Sequence, residues 1–265
     1  MRTIFFTFLF SVLYLGLSAQ EQLVLKSNFL NQPDTVWVFI PENSGEEEDF
    51  PLLYLLHGWS GNYQQWNNII DCQTYADQYG FIIVCPDGLY DSWYIDSPVE
   101  TENKYEQFFM QDLVPAISKK FNVSSDEVFI TGLSMGGHGA LFLFEKYPAY
   151  FKSAGSLSGL LDLSDWGNHY GISRVFGLEE SKNNEKLLAK YSVAGNLNQL
   201  KKADKKIIVS CGTEDPFYEI NLIFSADCAK NNIDVQFIKS NGGHDGSYWK
   251  SAVVDHFRFF KQLTE

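Results

Sequence analysis

The chain has 265 residues, 16% of them aromatic, and a formal net charge of −13. That length suffices for one domain with a sizeable hydrophobic core. The negative field repels the phosphates of nucleic acids and anionic lipid surfaces, which removes both as partners, and it favours neutral or cationic substrates.

Arg2 begins the chain with a positive charge, residues 4–17 are almost wholly apolar, and Leu17-Ser18-Ala19 offers small residues before Gln20. This pattern predicts a secretory signal peptide over residues 1–19, with an apolar run too short to span a bilayer comfortably. The mature chain, 20–265, is then secreted or periplasmic, with no membrane contact after cleavage. Residues 22–26 and 35–40 alternate with β-branched side chains and predict a leading antiparallel pair of strands. The acidic run Glu46-Glu47-Glu48-Asp49 reads as a solvated turn.

Continuous apolar runs at 52–56, 81–85, 128–131 and 207–211 fit strands buried on both faces of a parallel sheet, and 235–238 adds another. Helical periodicity falls between them, at 105–121, 135–147, 217–230 and 248–263. Strands alternating with helices predict an α/β fold with a mostly parallel central sheet and helices on both faces. Residues 159–205 are less regular and read as an insertion that shapes a pocket. Cys72, Cys85, Cys211 and Cys228 match no common zinc spacing. Cys85 and Cys211 end apolar strands, so buried free thiols are expected, although an oxidising compartment permits disulfides.

The chemistry concentrates at Gly132-Leu133-Ser134-Met135-Gly136. A Gly-x-Ser-x-Gly match means little by itself, but here a buried strand precedes it and a helix follows. That context puts Ser134 on a sharp, strained turn with its hydroxyl projecting above the sheet. A serine hydroxyl needs a base. On such a fold the acid and then the histidine follow the serine. His169 precedes the acid candidates and His256 lies within a helical pattern. His244 sits in the loop Asn241-Gly242-Gly243-His244-Asp245-Gly246 and is the expected base. The strand at 207–211 runs into Gly212-Thr213-Glu214-Asp215-Pro216, which presents two carboxylates. Asp215 is favoured over Glu214 as the group that orients His244. Asp245 adjoins the histidine and should point elsewhere.

Developing charge on a carbonyl oxygen requires backbone N–H donors. Met135, after the nucleophile, is one; Trp59, in the loop His57-Gly58-Trp59-Ser60-Gly61, is the other. His57 is expected to brace that loop and His138 to serve packing. Among the aromatics near strand ends, Trp93, Tyr94, Trp166 and Phe217 are expected to touch substrate. No metal or other cofactor is called for.

These segments, with Ser92-Trp93-Tyr94 and Gly137-His138-Gly139-Ala140-Leu141, resemble the esterase D-like family of the α/β-hydrolase superfamily. That family includes feruloyl and tributyrin esterases, S-formylglutathione hydrolases and the antigen 85 mycolyltransferases. The resemblance covers roughly residues 52–259 and implies Ser134, Asp215 and His244 as a triad, with donors at Trp59 and Met135. The expected function is a serine carboxylesterase that hydrolyses short-chain acyl or feruloyl esters through an acyl-enzyme. Its partner is a small-molecule or polysaccharide ester, such as one on xylan. The alternatives are an S-formylglutathione hydrolase-like thioesterase, an acyltransferase, or a catalytically silent carbohydrate-binding protein.

Overall fold

The apolar runs lie side by side in one eight-stranded sheet, seen in a computed structural model that describes residues 19–42, 49–178 and 184–264. The expected signal peptide, apart from Ala19, and the acidic run, apart from Asp49, lie outside the described residues. In chain order the elements are β1 (Gln20–Leu25), β2 (Asp34–Phe39), β3 (Phe50–Leu56), α1 (Gln65–Ile69), α2 (Cys72–Tyr79) and β4 (Ile82–Pro86). Next come α3 (Tyr105–Phe108), a π-helical turn (Phe109–Leu113), α4 (Val114–Lys120), β5 (Val123–Gly132), α5 (Met135–Lys146) and β6 (Ser153–Leu157). The remainder is α6 (Ile172–Phe176), α7 (Glu185–Tyr191), α8 (Leu197–Ala203), β7 (Ile207–Gly212), α9 (Tyr218–Lys230), β8 (Val235–Ser240) and α10 (Gly246–Leu263).

The strand order is β1-β2-β4-β3-β5-β6-β7-β8. β2 runs antiparallel to both neighbours, and every pairing from β4 to β8 is parallel. Parallel neighbours require crossover connections, so helices cover both faces. Along β3, Leu53 and Leu55 pack on the face covered by α1, α2 and α10, while Leu52, Tyr54 and Leu56 pack on the face of α5 and α9. This is the two-residue period of a strand buried on both sides. Among the described residues no helix is long and apolar enough to cross a membrane. All four cysteines are buried free thiols.

Three departures from the sequence reading have local causes. The helix expected over 105–121 contains the π turn Phe109–Leu113, immediately before Pro115 at the start of α4. Proline has no N–H to donate to the preceding turn, and the helix accommodates this by widening. Strand β6 was not expected, because Ser-Ala-Gly-Ser-Leu carries no β-branched residue. Its small side chains lie beside the buried His256 of α10, which bonds Thr131 Oγ1 on β5 at 2.9 Å and Ser210 Oγ on β7 at 3.0 Å. Helix α2 was also unexpected, although Asp71 caps it by accepting from the Thr74 N–H and Gly80 ends it at φ 71°.

Candidate active site

The end of β5 and the start of α5 hold Ser134 at φ 54° and ψ −118°, a strained conformation for a side chain other than glycine. The turn is tight because β3 passes beside it. A methyl group on Gly136 would come within 2.3 Å of the Leu56 carbonyl oxygen, and one on Gly132 within 2.5 Å of the Gly136 backbone. Only glycine fits at either position. The strained serine therefore projects its hydroxyl from the sheet edge and remains partly exposed.

His244 comes from the loop between β8 and α10, and Asp215 from the loop after β7. His244 Nδ1 stands 2.9 Å from Asp215 Oδ2, and His244 Nε2 stands 2.9 Å from Ser134 Oγ. A carboxylate can only accept, so Nδ1–H donates to Asp215 and Nε2 is left to accept the serine hydroxyl. The Asp215 side chain is fully buried, and its other oxygen accepts from the Phe217 N–H at 2.8 Å. Glu214, the other carboxylate of this loop, is exposed and is not at the imidazole. Asp245 turns away and caps α10, accepting from the N–H groups of Ser247 and Tyr248 at 2.9 and 3.0 Å.

The loop after β3 closes over the serine. Gly58 packs against Leu133 and Ser134. The N–H groups of Trp59 and Met135 donate to no other described residue. Met135 is the first residue of α5, where a helix has no carbonyl of its own to offer its N–H. Fixed contacts hold the Gly58–Trp59 peptide. The Gly58 N–H donates to Gln65 Oε1 at 2.8 Å, and His57 Nδ1–H donates to the Gly58 carbonyl at 2.7 Å. His57 is buried, and burial lowers its pKa to about 4, so the ring is neutral when it makes this bond.

Trp93 and Tyr94, expected to touch substrate, lie inside the protein at 1% and 0% exposure. Both have left-handed backbones, φ 54° and 60°, which turn the rings inward. Trp93 Nε1 donates to the Tyr170 carbonyl at 3.1 Å, and the Tyr94 hydroxyl to the His57 carbonyl at 3.0 Å. A ring without solvent-facing surface cannot meet a ligand arriving from solvent, so these two support the site from beneath. Phe217, also expected to touch substrate, is equally buried and is withdrawn from it for the same reason; its ring packs edge-on to His244 at 4.8 Å. Trp166, half-buried, packs edge-on to Phe217 at 4.9 Å. Tyr170 and Trp59 continue the aromatic layer at 5.5 Å. Residues 159–205 thus contribute Trp166 and Tyr170 to the rim, while residues 179–183 lie outside the described part.

The sequence gives no sign of Trp249, which packs edge-on to His244 at 5.0 Å, or of the contact of Tyr90 with Trp59 at 5.3 Å. Tyr90 follows the carboxyl end of β4, a position where ligands collect in such sheets, and that was its only sequence signal. His138 is buried and bonds the Tyr191 carbonyl at 2.8 Å, in keeping with packing.

A family model described as Putative esterase matches residues 27–260. The chain belongs to this esterase family. It is a serine carboxylic-ester hydrolase of the α/β-hydrolase fold. An acetyl esterase from Caldicellulosiruptor saccharolyticus is 26% identical over 270 residues, covering 92% of this chain and 98% of the relative. The S-formylglutathione hydrolase of Rattus norvegicus is 25% identical over 249 residues, covering 83% and 86%. Among solved structures, a ferulic acid esterase superposes with a TM-score of 0.78 at 26% identity, covering 92% of this chain and 98% of that one.

Proposed function

We propose that this esterase works through an acyl-enzyme formed on Ser134. His244 Nε2 takes the hydroxyl proton as Oγ attacks the ester carbonyl. The N–H groups of Trp59 and Met135 receive the oxyanion. The proton then passes from His244 to the departing alcohol oxygen as the C–O bond breaks. Water, deprotonated by the same nitrogen, releases the acid and returns the serine. Asp215 keeps Nδ1 protonated and supports the imidazolium while it exists. The observation that carries this reading is the imidazole held between Ser134 Oγ and Asp215 Oδ2 at 2.9 Å on each side.

The favoured acyl groups are acetyl and feruloyl, carried on a sugar or polysaccharide alcohol. Support comes from the similarity to an acetyl esterase and a ferulic acid esterase. Trp166, Tyr170 and Trp59, partly exposed and backed by the buried Phe217 beside His244, also suit a flat acyl group. Export by a signal peptide over residues 1–19 belongs to the same reading. The test is hydrolysis of p-nitrophenyl acetate, methyl ferulate, acetylated xylan and S-formylglutathione by the parent enzyme and Ser134→Ala. The oxygen esters are expected to be hydrolysed, with a fall on the order of 10⁴-fold or more in the variant. Equal rates would remove Ser134 from the mechanism. A strong preference for S-formylglutathione would remove the sugar-ester reading.

A further inference from the structure

A polar cleft of about 480 Å³ opens beside the aromatic layer, lined among others by Asn31, Gln32, Tyr90, Glu102, Asn103 and Arg174. We propose that it is the subsite for the alcohol half of the ester and that it takes a neutral sugar. The proposal rests on the esterase reading above for its link to catalysis, but binding in the cleft can be measured without it.

Position is the first argument. Tyr90 lines the cleft, packs edge-on to Trp59 at 5.3 Å, and accepts the Ser60 N–H on its carbonyl at 2.8 Å. Trp59 is also the residue whose N–H is offered to the oxyanion, and Gly58 before it lies against Ser134. Trp59 therefore touches the cleft residue Tyr90 through its ring and follows, in the chain, the glycine that lies against Ser134. An alcohol leaving on this side would extend over Tyr90, which is 58% exposed. An exposed aromatic face is a platform for the C–H face of a pyranose ring.

The chemistry of the lining is the second argument. Amides from Asn31, Gln32 and Asn103 offer donors and acceptors together, as a ligand rich in hydroxyl groups requires. Asp91, Glu100 and Glu102 set three carboxylates against one guanidinium, which disfavours an anionic ligand. Arg174 is committed to ion pairs with Asp91 and Glu100, so it is not free to recruit a carboxylate or phosphate. The same ion pairs tie the loop carrying Tyr90 to the 97–104 loop, and the cleft is held open before a ligand arrives.

The third argument is a polar atom without a partner. Asn103 lines the cleft at 7% exposure, and its Nδ2 donates to Glu100 Oε2 at 2.7 Å. Its Oδ1 is buried with no hydrogen-bond partner among the described residues. A buried acceptor left unbonded is costly, and a sugar hydroxyl meets it once the Asn103 amide turns toward the cleft it lines.

The test titrates xylobiose and digalacturonate into the Ser134→Ala protein, by calorimetry or by NMR shifts. Xylobiose is expected to bind saturably, and the further change Tyr90→Ala to weaken it about tenfold. Digalacturonate is expected to bind more weakly than xylobiose, with Glu102→Lys narrowing the gap. In the parent enzyme, Tyr90→Ala is expected to lower the ratio of kcat/KM for acetylated xylobiose to that for p-nitrophenyl acetate by about the same factor. Absent saturation, equal affinity with and without Tyr90, tighter binding of the uronate, or an unchanged kinetic ratio each overturns the proposal. Failure of the parent enzyme to hydrolyse p-nitrophenyl acetate would instead sink the esterase mechanism, a result the binding titration reads separately.

Discussion

The Tyr94 hydroxyl donates to the His57 carbonyl at 3.0 Å, joining the loop after β4 to the loop that carries the Trp59 N–H. Both partners are buried. Tyr94→Phe keeps the ring and leaves the His57 carbonyl unpaired, which should cost about 1–3 kcal/mol of stability. Urea denaturation would measure it, and an unchanged midpoint would show that the bond does not hold the loop.

Asp215→Asn tests the role of the buried carboxylate independently of the nucleophile. The amide can donate to Nδ1 and so favours the wrong imidazole tautomer. A fall in kcat on the order of 10³–10⁴-fold is expected, with the folded state retained. Glu214→Gln, at the exposed neighbour, should change kcat little. If the two variants ranked the other way, the assignment of the acid would be reversed.

Gly136→Ala probes the crowding that strains Ser134. The added methyl would meet backbone atoms of Leu56 and His57 at 2.3 and 2.5 Å, and backbone cannot swing aside as a side chain can. Destabilisation of about 3 kcal/mol or more is expected, with activity lost in whatever protein still folds. Thermal unfolding of the purified variant is the readout.

The pH dependence of stability should carry the mark of His256. Burial lowers its pKa from 6.5 to about 3, so below about pH 6.5 the unfolded chain binds a proton there that the folded chain does not. The stability linked to this group is whole above about pH 6.5 and is lost progressively as pH falls toward about 3. His256→Gln lacks that linkage. Its deficit relative to the parent protein should therefore shrink between about pH 7 and about pH 4 in denaturant titrations. A deficit that grew on acidification would mean that the imidazole is charged in the folded protein.

Particular residues show where the sequence was legible. The turn carrying Ser134 was readable because its requirements are local: a buried strand, two glycines flanking the serine at fixed spacing, and a helix. The parallel sheet was readable because strands buried on both faces must be continuously apolar. Strand β6 escaped because its composition answers to His256, a neighbour distant in sequence. Trp93 and Tyr94 were misassigned because a place after a strand end brings a residue near the site without saying which way its ring faces. Their positive φ values turn the rings inward, and no local pattern announces that.

Taken alone, the order of residues determined the esterase family, the alternation of strands and helices, and the candidates Ser134, His244 and the Glu214–Asp215 pair. These follow from periodicity and from motifs confined to a few neighbouring positions. Only the tertiary structure decided that Asp215 and not Glu214 meets the imidazole, that Trp249 and Phe217 flank it, and that Tyr90 fronts a polar cleft beyond Trp59. Side-chain direction in a loop is set by the backbone angles that packing imposes, and that packing comes from residues far away in the chain.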